Sequence, residues 1–371
     1  MSNLIIGIGN AGKNCVKLAA SSNKLNDTKF YAIDSMIEEM DSNINFISTM
    51  SDEKTGSGRD RERGKAMYEF HETHGDFNKM YEDAKDAKSP VIVITSAAGG
   101  TGSGSAVPLC KGLLKAGCEQ VIPIIICPNK LDPAAFHLNT TELFQELGKV
   151  GIATYAIFEN KKGDADYLPI NTEVVEMIEL IFGKRYDKTN LDSIDDSDLD
   201  KLLEMPGRII ALTVSANSII NLQKEITRRL FVGSQPMWNP DEVKKGTLMM
   251  AYSLKSMFAD VDFKNVFNEI DARIDPEQVF DQYRNIVKND NNGISEASII
   301  ITGLPRSEVK IISDNYKEVD GIDAGLNEVK RPSFLNRKKP IRKFKGAVDT
   351  SMGVEQFEYK NKTDTDTEKN N

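Results

Sequence analysis

Residues 91–114 constrain this chain more than any other stretch. Val91-Ile92-Val93-Ile94 leads into Thr-Ser-Ala-Ala-Gly-Gly-Thr-Gly-Ser-Gly-Ser over 95–105, and a helical apolar pattern follows from Leu109 to Leu114. The pattern is a strand, a glycine loop and a helix start. Gly99, Gly100, Gly102 and Gly104 let successive backbone N–H groups turn toward one point, with Thr101, Ser103 and Ser105 between them. The helix start adds unpaired N–H groups and the positive end of the dipole. Together they predict a phosphate seat. It is not a Walker A loop, because no Lys-Ser or Lys-Thr pair closes it.

A second glycine loop precedes it. Gly7-Ile8-Gly9-Asn10-Ala11-Gly12 follows the strand-like Leu4–Ile8 and opens a helix from Gly12 to Ser21. Asp34 ends the next strand, Phe30–Ile33, about 22 residues beyond Gly12. Alone, these features form the fingerprint of a dinucleotide-binding oxidoreductase. That reading leaves Gly99–Gly104 without a purpose, whereas one mononucleotide triphosphate uses both loops. A third turn, Thr55-Gly56-Ser57-Gly58-Arg59-Asp60, precedes a long polar helix over 61–87. Gly56, Ser57 and Gly58 offer backbone N–H groups there, and Arg59 a charge-assisted bond; an ordinary surface loop is the competing reading. Lys13 reads as a solvated surface lysine, with a phosphate ligand as the other reading.

The first half alternates strand and helix. After Val91–Thr95 come a helix at Ser105–Lys115, strand Gln120–Cys127, helix Thr140–Gly148, strand Ala153–Phe158 and a helix at Asn171–Gly183 that is apolar almost all round. This predicts an α/β, Rossmann-like, mostly parallel sheet with a buried central helix. Strand-like runs Ile209–Val214, Leu248–Leu254 and Ala297–Leu304, with helix patterns at 215–230 and 263–288, predict a second, smaller α+β domain. The expected divisions are a nucleotide-binding domain at 1–170, the central helix at 171–186, an α+β domain at 187–329 and a tail at 330–371. The tail is basic from Lys330 to Lys345, then polar. A net charge of −9 argues against a general nucleic-acid or anionic-membrane surface. The longest apolar run, Val121–Cys127, is too short to span a bilayer, and no secretory signal is evident. Four cysteines without zinc-site spacing read as reduced core thiols of a cytoplasmic protein. His71 and His74 read as part of a surface helix.

Gly99-Gly100-Thr101-Gly102-Ser103-Gly104 resembles the signature loop of the tubulin/FtsZ family, with Ala98 where that family usually has a further glycine. The resemblance covers residues 4–205 and implies a GTPase that polymerises. It carries Gly9, Asn10, Ala11, Gly12 and Asn14 as nucleotide contacts, with Asp34 nearby. It also carries Gly56, Ser57 and Gly58 as a γ-phosphate-sensing turn, and the second cradle as Ala98, Gly99, Gly100, Thr101, Gly102 and Ser103. Asp132 follows from a ribose-side loop. Asn160 and Asn171 are placed where the family reads guanine, whose edge suits an amide's donor and acceptor; Asn171 is equally a helix N-cap in form. The implied cofactors are GTP or GDP with Mg2+.

The family orients its hydrolytic water from a loop of form Asn-x-Asp-x-x-Asp. Asn190-Leu191-Asp192-Ser193-Ile194-Asp195 fits it. A second register, Asp195-Asp196-Ser197-Asp198-Leu199, leads better into Leu202-Leu203. The catalytic candidates are therefore Asp195, Asp192, Asp198 and Asn190, against the plainer reading of an acidic helix start. A central helix roughly 20 Å long would put them far from their own nucleotide, so they would serve the next subunit of a head-to-tail filament. The divergent loops and basic tail are most similar to TubZ-type partition tubulins of plasmids and phages. That likeness implies self-association and a DNA-bound adaptor engaged by the tail, without direct general DNA binding. An FtsZ-like division or phage-DNA-positioning tubulin is the near alternative, and an NAD-dependent oxidoreductase the distant one. A nucleotide-binding structural protein without turnover is a third class.

Overall fold

Ten strands of the described residues lie side by side in one sheet, and their order decides where a ligand can sit. The computed structural model describes residues 2–36, 38–50, 56–88, 90–129, 131–160, 167–184, 194–235, 243–288 and 293–305. The chain opens with β1 (Asn3–Ile8), α1 (Gly9–Ala20), β2 (Thr28–Asp34), β3 (Ile44–Ser48), α2 (Arg61–Thr73) and α3 (Asn78–Lys85). Then follow β4 (Val91–Ser96), α4 (Gly100–Ala116), β5 (Val121–Cys127), α5 (Ala134–Leu147), β6 (Thr154–Glu159) and α6 (Leu168–Ile181). The remainder is α7 (Asp196–Glu204), β7 (Gly207–Ala216), α8 (Ile219–Val232), β8 (Leu248–Ser256), α9 (Ala259–Asp271), β9 (Val279–Lys288) and β10 (Ser295–Leu304).

The sheet runs β3-β2-β1-β4-β5-β6-β7-β10-β8-β9. Strands β3 through β7 in that order are parallel, and β10 runs antiparallel to β7 and β8. The strands expected in a second domain thus continue the first sheet, joined through Thr154–Ala156 of β6 pairing with Gly207–Ile209 of β7. Alternation along the central strands splits the core. Ile5, Ile92, Ile94 and Ile124 face α1 and α6, while Leu4, Ile6, Val93 and Ile125 face α2–α5. A third cluster joins β7, β8 and β10 to α8 and α9. Helix α6 is apolar nearly all round because it lies inside the first cluster, which also takes in Ile209, Met249 and Ile300 from the later strands.

Several expected elements differ; the helix expected at Thr140–Gly148 opens six residues earlier, at Ala134. The polar helix over 61–87 is two helices, because Gly75 takes φ +81° after His74 and Phe77 is then buried, stacked on Tyr68 with ring centroids 4.5 Å apart. Helix α4 begins at Gly100 rather than Ser105, so most of the glycine loop is itself helical. The pattern over 263–288 is a helix ending at Asp271 followed by strand β9; Asp275 caps a short turn at Pro276–Gln278 between them.

Candidate functional site

The sheet order reverses direction at β1, which lies between β2 and β4. Beyond the carboxyl ends of β1 and β4 is the crevice where open parallel sheets bind ligands. Both glycine loops meet there. Gly9 takes φ +67°, and a Cβ on it would lie 3.1 Å from the Gly102 nitrogen and 3.8 Å from the Thr101 Cβ. Neither α1 nor α4 has a side-chain cap or an acid in its first turn. The first-turn N–H groups of each therefore have no carbonyl a turn earlier, and both positive helix ends converge on one point. By contrast, Asp60 caps α2 by accepting from the Arg63 N–H at 3.1 Å, and Asp195 caps α7.

The glycines divide into two jobs. Gly99 faces open space, with nothing within 4 Å of a built Cβ. Gly100 instead admits the third turn, Ser57 Oγ and the Asp60 nitrogen lying 2.6 and 2.7 Å from where its Cβ would be. Gly104 lets α2 close on α4, its Cβ position being 2.3 Å from the Arg61 carbonyl oxygen. Gly12 brings α1 against β4, 2.4 Å from the Ile94 oxygen. Ala98, Thr101 and Ser103 are buried around this joint, and Ser103 Oγ donates to the Gly99 carbonyl.

The third turn folds onto the second cradle. Ser57 Oγ lies 3.0 Å from Thr101 Oγ1, and Ser35, just past β2, lies 2.8 Å from the same oxygen. Gly58 and Arg59 both take positive φ, and the Arg59 guanidinium sits over the Phe136 ring at 5.0 Å. Buried Asn139 clamps two loops, its Nδ2 donating to the Ala98 carbonyl at 2.9 Å and the Arg59 carbonyl at 3.2 Å. Ser35 and Asn139 are not legible in the sequence, because a lone serine and a mid-helix asparagine carry no local signal.

Lys13 is a correction. It is only 3% exposed, not a solvated lysine. Its Nζ lies 3.0 Å from Asp34 Oδ2 and 2.5 Å from Glu38 Oε2. The ammonium neutralises the carboxylate that ends β2, while Asp34 Oδ1 accepts from the Ser35 N–H at 2.7 Å. Bonds from Lys13 and Lys17 bring the Glu38 carboxyl down to about 2. Asn10 is exposed, and Ala11 and Asn14 are half-buried, on the first two turns of α1. Gly56 stands at the start of the third turn, half-buried against Ser35 and Met36.

The two asparagines expected to read a base lie at the same end of the sheet. Asn171 is not the cap of its helix: α6 opens three residues earlier, at Leu168, and the Asn171 N–H bonds the Tyr167 carbonyl at 3.0 Å. Its Oδ1 accepts from Cys15 Sγ at 3.2 Å, which ties α6 to α1 beneath the first loop. Asn160, just past β6, accepts through its carbonyl from Asn129 Nδ2 at 2.9 Å. Asp132 folds its own loop by accepting from the Asn129 N–H at 2.8 Å.

The acidic segment lies at the other end. Asp195 Oδ1 accepts from the Asp198 N–H at 2.9 Å, and Asp198 Oδ2 from the Asp195 N–H at 3.4 Å, a capping box for α7. The two carboxylates therefore cap the start of α7. Next to them, Asp196 lies 3.5 Å from Lys88 Nζ, and the Lys88 N–H bonds the carbonyl of Ser2, just before β1. The segment is thus at the amino ends of β1 and β4. The six-residue length of β1 sets it about 17 Å from the glycine loops. Burial, then Asp281, then Asp198 and Asp195 push the Tyr283 phenol of β9 up to about 12, which places β9 beside this segment. Asn190, Asp192 and the tail 330–371 lie outside the described residues.

No protein-family model matches the chain, and no curated protein is similar to it in sequence. Solved structures are similar in fold. TubZ of Bacillus thuringiensis serovar israelensis, a GTPγS-form protofilament, superposes at TM-score 0.66 with 18% identity over 85% of this chain and 92% of that one. CetZ2 of Haloferax volcanii, also a GTPγS-bound protofilament, gives 0.64 with 15% identity over 86% and 98%. The FtsZ dimer of M. jannaschii gives 0.61 with 16% identity over 81% and 88%. The chain has the tubulin/FtsZ fold. No helix of the described residues is long and apolar enough to cross a membrane.

Proposed function

We propose that this chain is a cytoplasmic, filament-forming GTPase of the tubulin/FtsZ family that hydrolyses GTP where subunits meet head to tail. One observation carries it. The phosphate seat and the acidic helix start occupy opposite ends of the same strands, about 17 Å apart. Phosphoryl transfer needs positioned donors around the phosphates and a group that orients water. Gly9–Gly12 and Gly99–Ser103 supply donors. Asp195 and Asp198 supply the carboxylate side, and from the amino end they reach only another subunit's seat; the sequence adds Asp192 and Asn190 as further candidates for the same role. A head-to-tail contact of this kind propagates into an open filament.

Two converging glycine loops favour a triphosphate over a dinucleotide, since the dinucleotide fingerprint needs only the first. Asn171 and Asn160 supply amides toward a guanine edge, and Asp34 and Asp132 lie toward the ribose. Among the described residues no group of three or more His, Cys, Asp or Glu could hold a metal ion. Mg2+ fits this site as a companion of the phosphates, which is how it is commonly held. The finer reading is a TubZ-type role in plasmid or phage DNA partition, with the basic segment 330–345 engaging a DNA-bound adaptor protein. An FtsZ-like division role is the alternative.

Phosphate release per subunit, measured over a concentration series, tests the core. It should rise steeply as filaments form, by on the order of 10³ or more for a group supplied in trans. A rate per subunit that is flat at every dilution refutes it.

A further inference from the structure

One buried amide on α6 is only half used. Asn171 is 8% exposed and stands a turn inside the helix, where its backbone N–H is spent on the Tyr167 carbonyl and its side chain caps nothing. The neighbouring Thr172 turns its hydroxyl back onto the Leu168 carbonyl at 2.8 Å. Asn171 reaches across instead, its Oδ1 accepting from the Cys15 thiol of α1 at 3.2 Å. Among the described residues that is the one side-chain bond Asn171 makes. An amide carries two N–H donors beside its acceptor oxygen. A buried amide with unspent donors costs stability, so the Nδ2 group calls for a ligand.

We propose that Cys15 is a positioning residue that sets base specificity, by holding the Asn171 amide with its oxygen toward α1 and its N–H donors toward the base. The inference rests on the GTPase reading above, in which Asn171 faces the base, and adds the residue that decides which arm of the amide the base meets. Cys15 is 0% exposed, and burial pushes its thiol up to about 12, so near neutral pH it keeps its proton. A protonated thiol donates to the amide oxygen, the stronger acceptor of the pair. The reverse orientation would set Nδ2 against sulfur, a weak acceptor, and leave the thiol proton without that oxygen. The thiol is thus a latch on a group whose two orientations have nearly the same shape.

The polarity matters because purines differ in the group opposite such an amide. Guanine and hypoxanthine present a carbonyl oxygen, which accepts from an N–H, whereas adenine presents an amino group, itself a donor. A latched Asn171 therefore favours the oxo purines and sets donor against donor with adenine. It is indifferent to the second amino group, which separates guanine from hypoxanthine. Without the thiol the amide turns to suit either base. Cys15 lies on the helix that opens at the first cradle, so α1 carries both a phosphate seat and the latch of the base reader.

Calorimetric titration of the full chain with GDP, inosine diphosphate and ADP, below the assembly concentration, tests this. Cys15→Ala should cut the GDP-to-ADP and inosine-diphosphate-to-ADP affinity ratios alike, by about five- to tenfold, the directing effect of a single hydrogen bond. A merely structural loss weakens every nucleotide together; unchanged ratios overturn the role of Cys15 and leave the GTPase reading intact. A fall confined to GDP means that the amide oxygen reads the second amino group, and overturns the latch as well. Cys15→Ser, which keeps a donor, should restore both ratios, and ratios as low as those of Cys15→Ala refute the latch. Wild-type protein that binds none of these nucleotides overturns the GTPase reading too. Should Cys15→Ala not fold, the side-chain amide signal of Asn171 in asparagine-labelled wild type decides the matter by NMR. A larger shift with GDP and inosine diphosphate than with ADP supports the latch, and equal shifts refute it.

Discussion

Gly104→Ala and Gly99→Ala separate the two jobs of the glycine loop. A Cβ on Gly104 would lie 2.3 Å from the Arg61 carbonyl oxygen, 2.7 Å from the Lys65 nitrogen and 3.1 Å from the Gly64 carbonyl carbon. Ordinary contact begins at 3.4 Å, so the shortfall is 3.4 less 2.3, or 1.1 Å. Every one of these atoms is backbone, and no rotamer change relieves the clash. Helix α2 must move as a body, taking with it Arg61, whose Nη2 lies 2.7 Å from Glu146 Oε2. Overpacking of this kind costs about 1–3 kcal/mol, or roughly 2–10 °C in Tm at the scaling of a large domain. Gly99 has φ −79° and nothing within 4 Å, so alanine fits there. Its cost is about 0.5 kcal/mol from weaker helix capping, yet its methyl enters the open seat. Nucleotide at a hundred times its Kd stabilises by about 2.7 kcal/mol, and a tenfold weaker site at the same concentration by about 1.4 kcal/mol. Thermal melts with and without GTPγS read both effects. Gly104→Ala should melt early, and Gly99→Ala should melt normally but respond to nucleotide about half as much. If Gly104→Ala melts with wild type, or Gly99→Ala is the less stable of the two, the division of roles is wrong.

Lys13→Met leaves Asp34 buried without its cation and should destabilise by about 3 kcal/mol in urea titration; Lys13→Met with Asp34→Asn should regain much of that loss. The folded carboxyl of Glu38 sits near 2, below its ordinary 4.5. Its stabilisation is therefore complete above pH 4.5 and is lost as pH falls toward 2, and Glu38→Gln should show a shallower decline in urea midpoint between pH 5 and pH 3. Burial pushes the Cys15 and Cys110 thiols up to about 12. Iodoacetamide at pH 8 should leave both unmodified in the native protein and alkylate both in urea, as read by mass spectrometry. Asp195→Ala with Asp198→Ala should abolish GTP turnover while leaving GDP binding intact. Mixing that variant with a seat-blocked Gly99→Val protein should recover activity, because Gly99 faces the open seat with nothing within 4 Å and one mixed interface then holds a sound seat and a sound acidic loop; no recovery in mixed filaments argues against action in trans.

Local signals made the glycine-loop half of the chain legible. A strand followed by glycines and a helix can be read from neighbours in sequence, since both the turn and the helix start are set within a few residues. The alternation of strand and helix likewise implied a parallel sheet, and the near-uniform apolarity of 171–183 implied a buried helix. The break at Gly75 and the strand within 263–288 were hidden. Polar residues on α2 and α3 look like one continuous surface, and β9 carries Phe280, Gln282 and Arg284 on a half-exposed edge where alternation is weak.

What the chain order alone determined is the existence of the two cradles, because each is built from contiguous residues whose backbone freedom is chemical. Only the tertiary structure decided how they are used. It set β1 beside β4, so that Gly9 and Gly102 touch, and assigned Gly104 to helix packing rather than to a ligand. It drew Lys13 onto Asp34, gathered Ser35 and Ser57 around Thr101, and sent Asp195 and Asp198 to the far end of the strands. These are relations between residues 21 to 108 positions apart, from Lys13–Asp34 to Lys88–Asp196. They arise from burial of shared apolar faces, which no local pattern encodes.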